Sequence, residues 1–405
     1  MSKPLSILCI ASFFKGENFM ISAKKNGAIV YLVTSKKLED KNWPKEYIDE
    51  IFYVQQDDKN NWNMDDVISG LSYVMRNKKI DRIVSLDDFD VEKGALLREH
   101  FRIPGMGQTT ARYFRDKLAM RVKAHDSGIA VPAFTGLFHD DAIKEFTEKV
   151  SAPWLVKPRS EASATGIKKI NNETELWDHL CHLGDKRHEF LLEQFKPGDV
   201  FHIDALSEEG KIVFMRTSQY VNPPFDVAHG GGIFRSVVCE FNGKDDKNLQ
   251  RVTNKVMKAF GMQYSASHTE VIKCHEDGNY YFLETSCRVG GAHLADMVEG
   301  SSGLNLWEEW AKLELSVARG EKYELPNISN LYAGIIVSLS KEKYPNYDSY
   351  QDSEIWWKMK DNEYHIGLIV RSEDRNRILE LLDAYAKKIF SETHASAPAP
   401  DKPKH

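Results

Sequence analysis

Short, continuously apolar runs alternate with helix-like stretches along the first hundred residues, and this alternation is the strongest constraint on the fold. The runs predict strands at residues 7–10, 28–33, 50–54 and 82–86. Apolar residues at helical spacing separate them, at residues 18–25, 64–75 and 91–101. Strands that are apolar on both faces and are separated by helices form a parallel sheet covered on both sides. Right-handed crossovers then predict a doubly wound α/β domain at the N-terminus.

The middle third of the chain has a different pattern, in which apolar runs follow one another across short Gly, Asp and Pro turns. These runs predict strands at residues 153–157, 167–170, 190–195, 200–206, 211–221, 266–274 and 280–285. Helical spacing is found at residues 110–127, 247–260 and 304–315. The pattern therefore indicates an α+β region, joined to the N-terminal domain by a hinge at residues 102–107.

The C-terminal part of the chain is shorter and mixed. Two strands at residues 332–339 and 365–370 and a helix at residues 375–390 predict a small α/β cap. The stretch 391–405 is rich in Pro, Ala and polar residues, and we expect it to form a disordered tail.

Composition narrows the class of protein. At about 150 residues per domain, 405 residues predict two to three domains. The net charge of −6 argues against general nucleic-acid binding, which needs a cationic surface. No apolar run approaches the ~18 residues that span a membrane, and the start does not resemble a secretory signal. Five cysteines without a C-x-x-C pair disfavour disulfides and zinc. We expect a cytoplasmic enzyme.

The common phosphate-binding and hydrolase motifs are absent from the sequence. The first turn, at residues 11–16, has no G-x-G-x-x-G, so a dinucleotide site there is disfavoured. The chain also lacks the P-loop, kinase, H-E-x-x-H and G-x-S-x-G motifs. A nucleotide, if used, is therefore bound in another way.

Two carboxylates on neighbouring predicted strands form the most informative constellation. Glu270 and Glu284 lie on strands joined by a short turn, so antiparallel pairing would place them side by side. Such a pair needs a cation, and oxygen ligands beside phosphates favour Mg²⁺. Ser286 could add a hydroxyl ligand or a contact to one of the ligands, and Arg288 is suited to a transferring phosphoryl group. A pair of solvated carboxylates on an edge hairpin is the alternative.

Two lysines are candidates for binding phosphates. Lys157 ends a strand and precedes a small-residue loop, 158–166, that could fold over phosphates as a flap. Lys117 lies on the predicted helix 110–127. The alternatives are an ordinary mobile hairpin for the loop and a solvated charge for Lys117.

The turn that follows the strand 190–195 could bind a nucleoside. Glu193, Gln194 and Phe195 end this strand, and free main-chain groups there could contact an adenine edge. Asp199 and His202 follow and could meet a ribose. The alternative for each is a turn cap or a buried strand residue.

Three glycines at 230–232 follow His229 and a Pro pair, which suggests a mobile lid over a site. The alternative is a flexible loop between strands. Cys287 lies beside the carboxylates, but no His–Asn constellation supports a nucleophile, so we expect a packed, inert thiol.

Taken in order, segments within residues 110–315 resemble the motifs of the ATP-grasp superfamily. They are Arg115-Asp-Lys117 with Gly128-Ile-Ala-Val-Pro132, Trp154-Leu-Val-Lys157 with its loop, Phe190-Leu-Leu-Glu-Gln-Phe195 with Gly198-Asp199, Glu270, and Glu284-Thr-Ser-Cys-Arg288-Val-Gly-Gly291. The last segment, followed by Ala292-His-Leu294, most resembles the L-amino-acid ligases. The family commonly has Glu-x-Asn at the second metal carboxylate, whereas this chain has Glu284-Thr-Ser286.

The resemblance implies an ATP-dependent carboxylate–amine ligase that forms an acyl phosphate and releases ADP and phosphate. It implies ATP and Mg²⁺ (or Mn²⁺) as cofactors, and small-molecule carboxylate and amine substrates; it leaves a homodimer open. It assigns the catalytic role to Arg288 and Lys157, nucleotide binding to Lys117, Lys157, Glu193, Gln194, Phe195, Asp199 and His202, and metal binding to Glu270, Glu284 and Ser286. For a general base, His229 and His268 are candidates only.

The resemblance also divides the chain. It implies an N-terminal domain at 1–108, an ATP-grasp domain at 109–328 with a flap subdomain at about 133–192, a C-terminal subdomain at 329–390 and the tail at 391–405. Two rival functions stay open: a carboxylase or purine-pathway enzyme that uses carboxyphosphate or formyl phosphate, and a non-catalytic ATP-binding module.

Overall fold

The computed structural model of this chain describes residues 4–161, 165–223, 227, 231–360 and 362–396. Parts of three predicted features lie outside these residues: the flap loop at 162–164, the lid at 228–230 with His229, and the tail at 397–405.

The N-terminal part is the predicted doubly wound α/β domain. Its four strands are all parallel, in the order β3-β2-β1-β4. Helix α1 packs on one face, and α2 and α3 cover the other face, because each strand is apolar on both sides. The elements are β1 (Ser6–Ala11), α1 (Glu17–Lys25), β2 (Ile29–Ser35), β3 (Glu50–Val54), α2 (Met64–Val74), β4 (Arg82–Ser85) and α3 (Val91–Phe101).

A small antiparallel sheet with two helices follows, in the region predicted as the flap subdomain. Its strand order is β5-β8-β6-β7, and its core packs α6 and α7 against one face. The elements are β5 (Phe134–Gly136), α6 (Asp140–Lys149), β6 (Trp154–Pro158), β7 (Lys168–Ile170), α7 (Glu173–Leu183) and β8 (Phe190–Gln194).

One large antiparallel sheet contains the remaining strands, in the order β13-β12-β9-β10-β11-β14-β16-β15. The strands are β9 (Gly198–Glu208), β10 (Lys211–Tyr220), β11 (Phe234–Val238), β12 (Ser265–Cys274), β13 (Tyr280–Ser286), β14 (Tyr332–Leu339), β15 (Ile355–Lys358) and β16 (His365–Ser372). The strands predicted as part of a small C-terminal α/β cap extend this sheet, because β14 pairs with β11.

The remaining helices connect and cover these sheets. They are α4 (Gln108–Arg112), α5 (Lys117–Asp126), α8 (Lys244–Phe260), α9 (Leu294–Ser302), α10 (Leu306–Arg319) and α11 (Arg375–Glu392). The single helix predicted at 110–127 is wrong, because it breaks into α4 and α5. The first helix ends at Arg112, with Tyr113 as its C-cap. Asp116 begins the second by accepting a hydrogen bond from the main-chain N–H of Leu118 at 3.0 Å.

None of the helices formed by the described residues combines the length and apolar character that a membrane crossing requires. Parallel and antiparallel layers occur as the sequence predicts, so the α/β and α+β fold class is confirmed.

Candidate active site

A cleft of about 310 Å³ lies where the N-terminal domain, helix α5 and the edge of the large sheet meet. Its polar lining includes both predicted metal carboxylates and two of the predicted cations. The charged residues that line it are Asp88, Arg115, Lys117, Glu161, Glu270, Glu284 and Arg288, together with His268.

The two carboxylates lie directly opposite each other on adjacent strands. β12 and β13 pair antiparallel, with Glu270 opposite Glu284 and a bulge immediately after Glu270. Tyr220 donates its hydroxyl to Oε1 of Glu270 at 2.9 Å. Nζ of Lys117 lies 2.8 Å from Oε2 of Glu284. Burial would raise the pKa of Glu270, but His268 and Tyr220 hold it below its ordinary value, so the carboxylate is charged at neutral pH.

Lys117 is positioned by the start of helix α5. Its Nζ also donates to the carbonyl oxygen of Glu161 at 2.7 Å, beside the flap loop. Oδ1 of Asp116, the residue that begins the helix, accepts a hydrogen bond from Nε of Arg159 at 3.0 Å. This one turn therefore joins the cleft to the loop that follows β6.

Lys157 lies behind the cleft in a buried ion network. Its Nζ donates to Oε1 of Glu193 at 2.6 Å, and Arg121 donates Nε to Oε2 of the same carboxylate at 2.6 Å. Glu193, expected at an adenine edge, is 1% exposed, so its side chain holds two cations and does not reach a nucleotide. Arg121 was not predicted, although it lies four residues after Lys117, on the same helix face.

The other residues expected around a nucleoside are Gln194, Phe195 and Asp199, and none of them lines this cleft. The N–H of Gln194 bonds to Ala133, and that of Phe195 bonds to Pro153 at 3.0 Å. Nζ of Lys169 lies 4.0 Å from the centre of the Phe195 ring. Asp199 is half-exposed and pairs with His275 at 3.2 Å.

His202 does not lie where a ribose could reach it, so that prediction is wrong. It is fully buried on β9, with Nε2 against the Ser236 hydroxyl at 2.7 Å and Nδ1 against Asp204 at 2.8 Å. Nδ1 of His268 approaches the other oxygen of Asp204, also at 2.8 Å. Asp204 thus links the two rings directly behind Glu270.

Within this array, His268 connects Asp204 to the carboxylate pair. Burial would lower the pKa of His268, but Asp204 raises it to about 9. The ring is therefore protonated at neutral pH, and its Nε2 lies 3.9 Å from Oε1 of Glu270. His202, Asp204 and His268 have possible metal-ligand atoms within 4.8 Å of one another. Nδ1 of each ring, however, lies at hydrogen-bond distance from Asp204, so this contact is a hydrogen bond from each histidine to the carboxylate.

Arg288 and Ser286 both contact Asp88, which lies after β4 in the N-terminal domain. Arg288 donates Nε to Oδ2 of Asp88 at 2.9 Å, and the Ser286 hydroxyl donates to Oδ1. Burial would raise the pKa of Asp88, but Arg288 holds it well below its usual range. Ser286, expected as a metal ligand, is instead occupied by this carboxylate, which the sequence patterns did not single out.

The thiol of Cys287 is buried beside this contact. Burial raises the pKa of Cys287 to about 12. It is therefore a neutral thiol at physiological pH, in line with the expected inert side chain.

Residues 124–286 match the family model described as D-ala D-ala ligase C-terminus. An L-arginine-specific L-amino acid ligase of Bacillus subtilis is 28% identical over 252 residues, which cover 61% of this chain and 60% of that protein. This chain therefore matches only about 60% of the length of that relative.

Solved structures match nearly the whole chain. The L-amino acid ligase of Bacillus licheniformis superposes with a TM-score of 0.72 at 18% identity, over 97% of this chain and 99% of that one. The biotin carboxylase domain of the Hydrogenobacter thermophilus 2-oxoglutarate carboxylase, solved with MgADP and bicarbonate, has a TM-score of 0.70 at 15% identity, covering 96% and 90%. At these identities the likeness shows the fold.

Proposed function

Since this chain belongs to the ATP-grasp superfamily, we propose that it is a ligase that joins a small carboxylate to an amine with ATP. One observation carries this proposal: Glu270 and Glu284 face each other in the wall of a cleft that also contains Lys117 and Arg288. The two carboxylate side chains supply oxygen ligands for a metal ion, and the two basic side chains supply positive charge for phosphates. Together they suit a metal–triphosphate complex.

The donor set suits a hard divalent cation, which we propose is Mg²⁺ or Mn²⁺. Glu270 and Glu284 would hold the ion, with phosphate oxygens and water completing its shell. When bound, the ion neutralises developing charge on the phosphates. Tyr220 and His268 orient Glu270 through their contacts with its Oε1, and Lys117 is already beside Glu284.

The proposed reaction has two steps. An oxygen of the substrate carboxylate attacks the γ-phosphorus, the bond to the β-phosphate oxygen breaks, and ADP leaves. The amine nitrogen then attacks the acyl carbon, phosphate leaves, and the nitrogen loses a proton. Lys117 offsets phosphate charge in both steps, and Arg288 offsets the charge of the transferring group once it turns from Asp88.

The substrates belong to the proposal as well. The named activity of the Bacillus subtilis relative favours an amino acid as the acid component and a second amino acid as the amine. The need for ATP is consistent with a cytoplasmic location. We also propose that two copies of the chain form a homodimer, which a mass measurement in solution tests.

The decisive experiment is a phosphate-release screen over pairs of the common L-amino acids, with ATP and MgCl₂. We expect phosphate and ADP in equal amounts, and an amide in the mass spectrum, for at least one pair. AMP as the stoichiometric product would reject the acyl phosphate.

The second candidate function is an enzyme that activates bicarbonate, because a biotin carboxylase domain has the same fold. In that case phosphate release would depend on bicarbonate and not on amino acids. Binding of MgATP without turnover in either arm would indicate a nucleotide-binding module instead.

A further inference from the structure

A second cavity, of about 360 Å³, lies behind the active-site cleft. Cys287 lines this cavity, whereas its neighbours Ser286 and Arg288 line the cleft. One short stretch of chain thus forms a wall of both spaces. We call the second space the rear cavity; its charged lining residues are Arg82, Arg98 and Glu314.

The rear cavity carries an excess positive charge. Arg82 is matched by Glu314, with Nε to Oε2 at 2.8 Å. Arg98 is 9% exposed and has no carboxylate at ion-pair distance among the described residues. Its Nε and Nη1 donate to the carbonyls of Met106 and Ile83 at 2.8 and 2.9 Å. A buried cation without a counter-ion is costly, and an anion would offset that cost.

The chain is shaped around the Arg98 side chain. Gly105 has a φ of +147°, and a Cβ there would lie 2.6 Å from Cδ of Arg98. A Cβ on Gly94 would lie 3.3 Å from Nη1 of Arg98 and only 2.1 Å from Oγ of Ser85. The absence of side chains at Gly94 and Gly105 therefore provides the space that the Arg98 side chain occupies.

A cationic surface leads to the rear cavity. An adjoining depression of about 760 Å³ shares Arg82, Pro104 and Val317 with it. The depression is lined by the cations Arg76, Lys78, Lys79, Arg82 and Arg102, and by a single acid, Asp81. Lys78 and Lys79 are paired with carboxylates, whereas Arg76 and Arg102 have no such partner in the part of the chain that is described. This concentration of cations in a chain of net charge −6 favours an approaching anion.

We propose that the rear cavity binds a small organic anion whose carboxylate or phosphate group lies against Arg98, and that its occupancy changes the turnover rate through Cys287. Binding follows from the cavity and its charge alone. The effect on rate rests on the proposed ligase function, because Ser286 and Arg288 flank Cys287.

Binding is tested on the full chain by alkylation of Cys287, which lines the rear cavity. Because this buried thiol is largely neutral, its reaction with iodoacetamide at pH 8.5 is slow, and it is followed over hours, peptide by peptide, in the mass spectrometer. Succinate and inorganic phosphate are the probes, with sodium chloride at equal ionic strength as the reference. We expect one of them to slow alkylation of Cys287 at least threefold and to leave that of exposed Cys181 unchanged. Which probe protects identifies the head group; protection by neither overturns the proposal.

Variants separate the rear cavity from the active site. Arg98→Lys keeps a charge but loses the fork of donors, and we expect the probe concentration that gives half-maximal protection to rise at least fivefold. Arg102→Ser at the mouth should raise that concentration about twofold. Arg251→Ser, on the exposed face of α8, is the matched control and should change nothing. Protection that survives Arg98→Lys overturns the site. If a probe protects Cys287 but does not change phosphate release, only the coupling to turnover is overturned. If a probe protects Cys287 but the protein has no ligase activity, only the proposed function is overturned.

Discussion

The carboxylate of Glu193 binds Nζ of Lys157 at 2.6 Å, and both residues are buried. The same carboxylate holds Arg121, whose guanidinium also donates to the carbonyl of Leu283 on β13. One acid therefore joins the small sheet, helix α5 and the strand that carries Glu284. Lys157 is thereby held in place without a ligand, which fixes where its charge lies.

Replacing Glu193 with Gln should destabilise the protein and impair turnover. Both cations lose their counter-charge, and breaking a buried ion pair costs about 3–5 kcal/mol, so urea unfolding should show a loss of that order. Phosphate release should fall at least tenfold as Lys157 loses its position. Glu145→Gln is the matched control, because Glu145 is exposed and pairs only with Lys149. Equal unfolding midpoints for the two variants would refute the role of Glu193.

The same residue predicts a pH dependence of stability. Burial would raise the pKa of Glu193, but Arg121 and Lys157 hold it below its ordinary value of 4.5. A depressed pKa in the folded state means that the contribution is present above about pH 4.5 and is lost as the pH falls further. Urea unfolding from pH 6 to pH 3.5 should therefore give a steeper loss for the wild type than for Glu193→Gln. Parallel curves would contradict this.

Local patterns predict the N-terminal sheet well, and for a physical reason. A parallel strand that is buried on both faces has an apolar run that marks the strand within about two residues, as for residues 7–10 and the fully buried β1 (Ser6–Ala11). The order of the large sheet is different. β11 pairs with β14 across about a hundred residues, and nothing in either strand specifies that partner. The sequence therefore predicts the C-terminal strands only as part of a small α/β cap.

Only part of the candidate site could be predicted from the sequence. The Glu270–Glu284 pair could be predicted because a short turn joins their strands. Asp88 could not, because it reaches Ser286 and Arg288 only after two distant parts of the chain pack together. Asp204 left a weaker signal: it follows His202 by two positions on one strand, which places both on the same face.

Glu284→Ala should abolish ATP turnover while the fold persists. The Glu284 side chain is one-third exposed and its partner is Lys117, so its loss removes a proposed metal ligand without opening the core. Phosphate release should fall at least a hundredfold, with an unchanged circular dichroism spectrum. Glu276→Ala, in the turn between the same two strands, is the matched control. Removal of divalent ions with EDTA should abolish wild-type turnover, and Mn²⁺ should restore it. Unchanged phosphate release in Glu284→Ala would reject the assignment.

Gly290→Ala tests the array behind Glu270. A Cβ at this position would lie 2.6 Å from Oδ1 of Asp204 and 3.0 Å from Nδ1 of His268, so the hydrogen bond between them must open. We expect a loss of about 1–3 kcal/mol in the free energy of unfolding, as for overpacking in a core. Because His268 faces Glu270, a higher Mg²⁺ concentration should also be needed for half-maximal turnover. Gly291→Ala is the control, since a Cβ there meets nothing within 4 Å. If both variants unfold at the same urea concentration and share one Mg²⁺ dependence, the tight packing of Gly290 against Asp204 does not position Glu270.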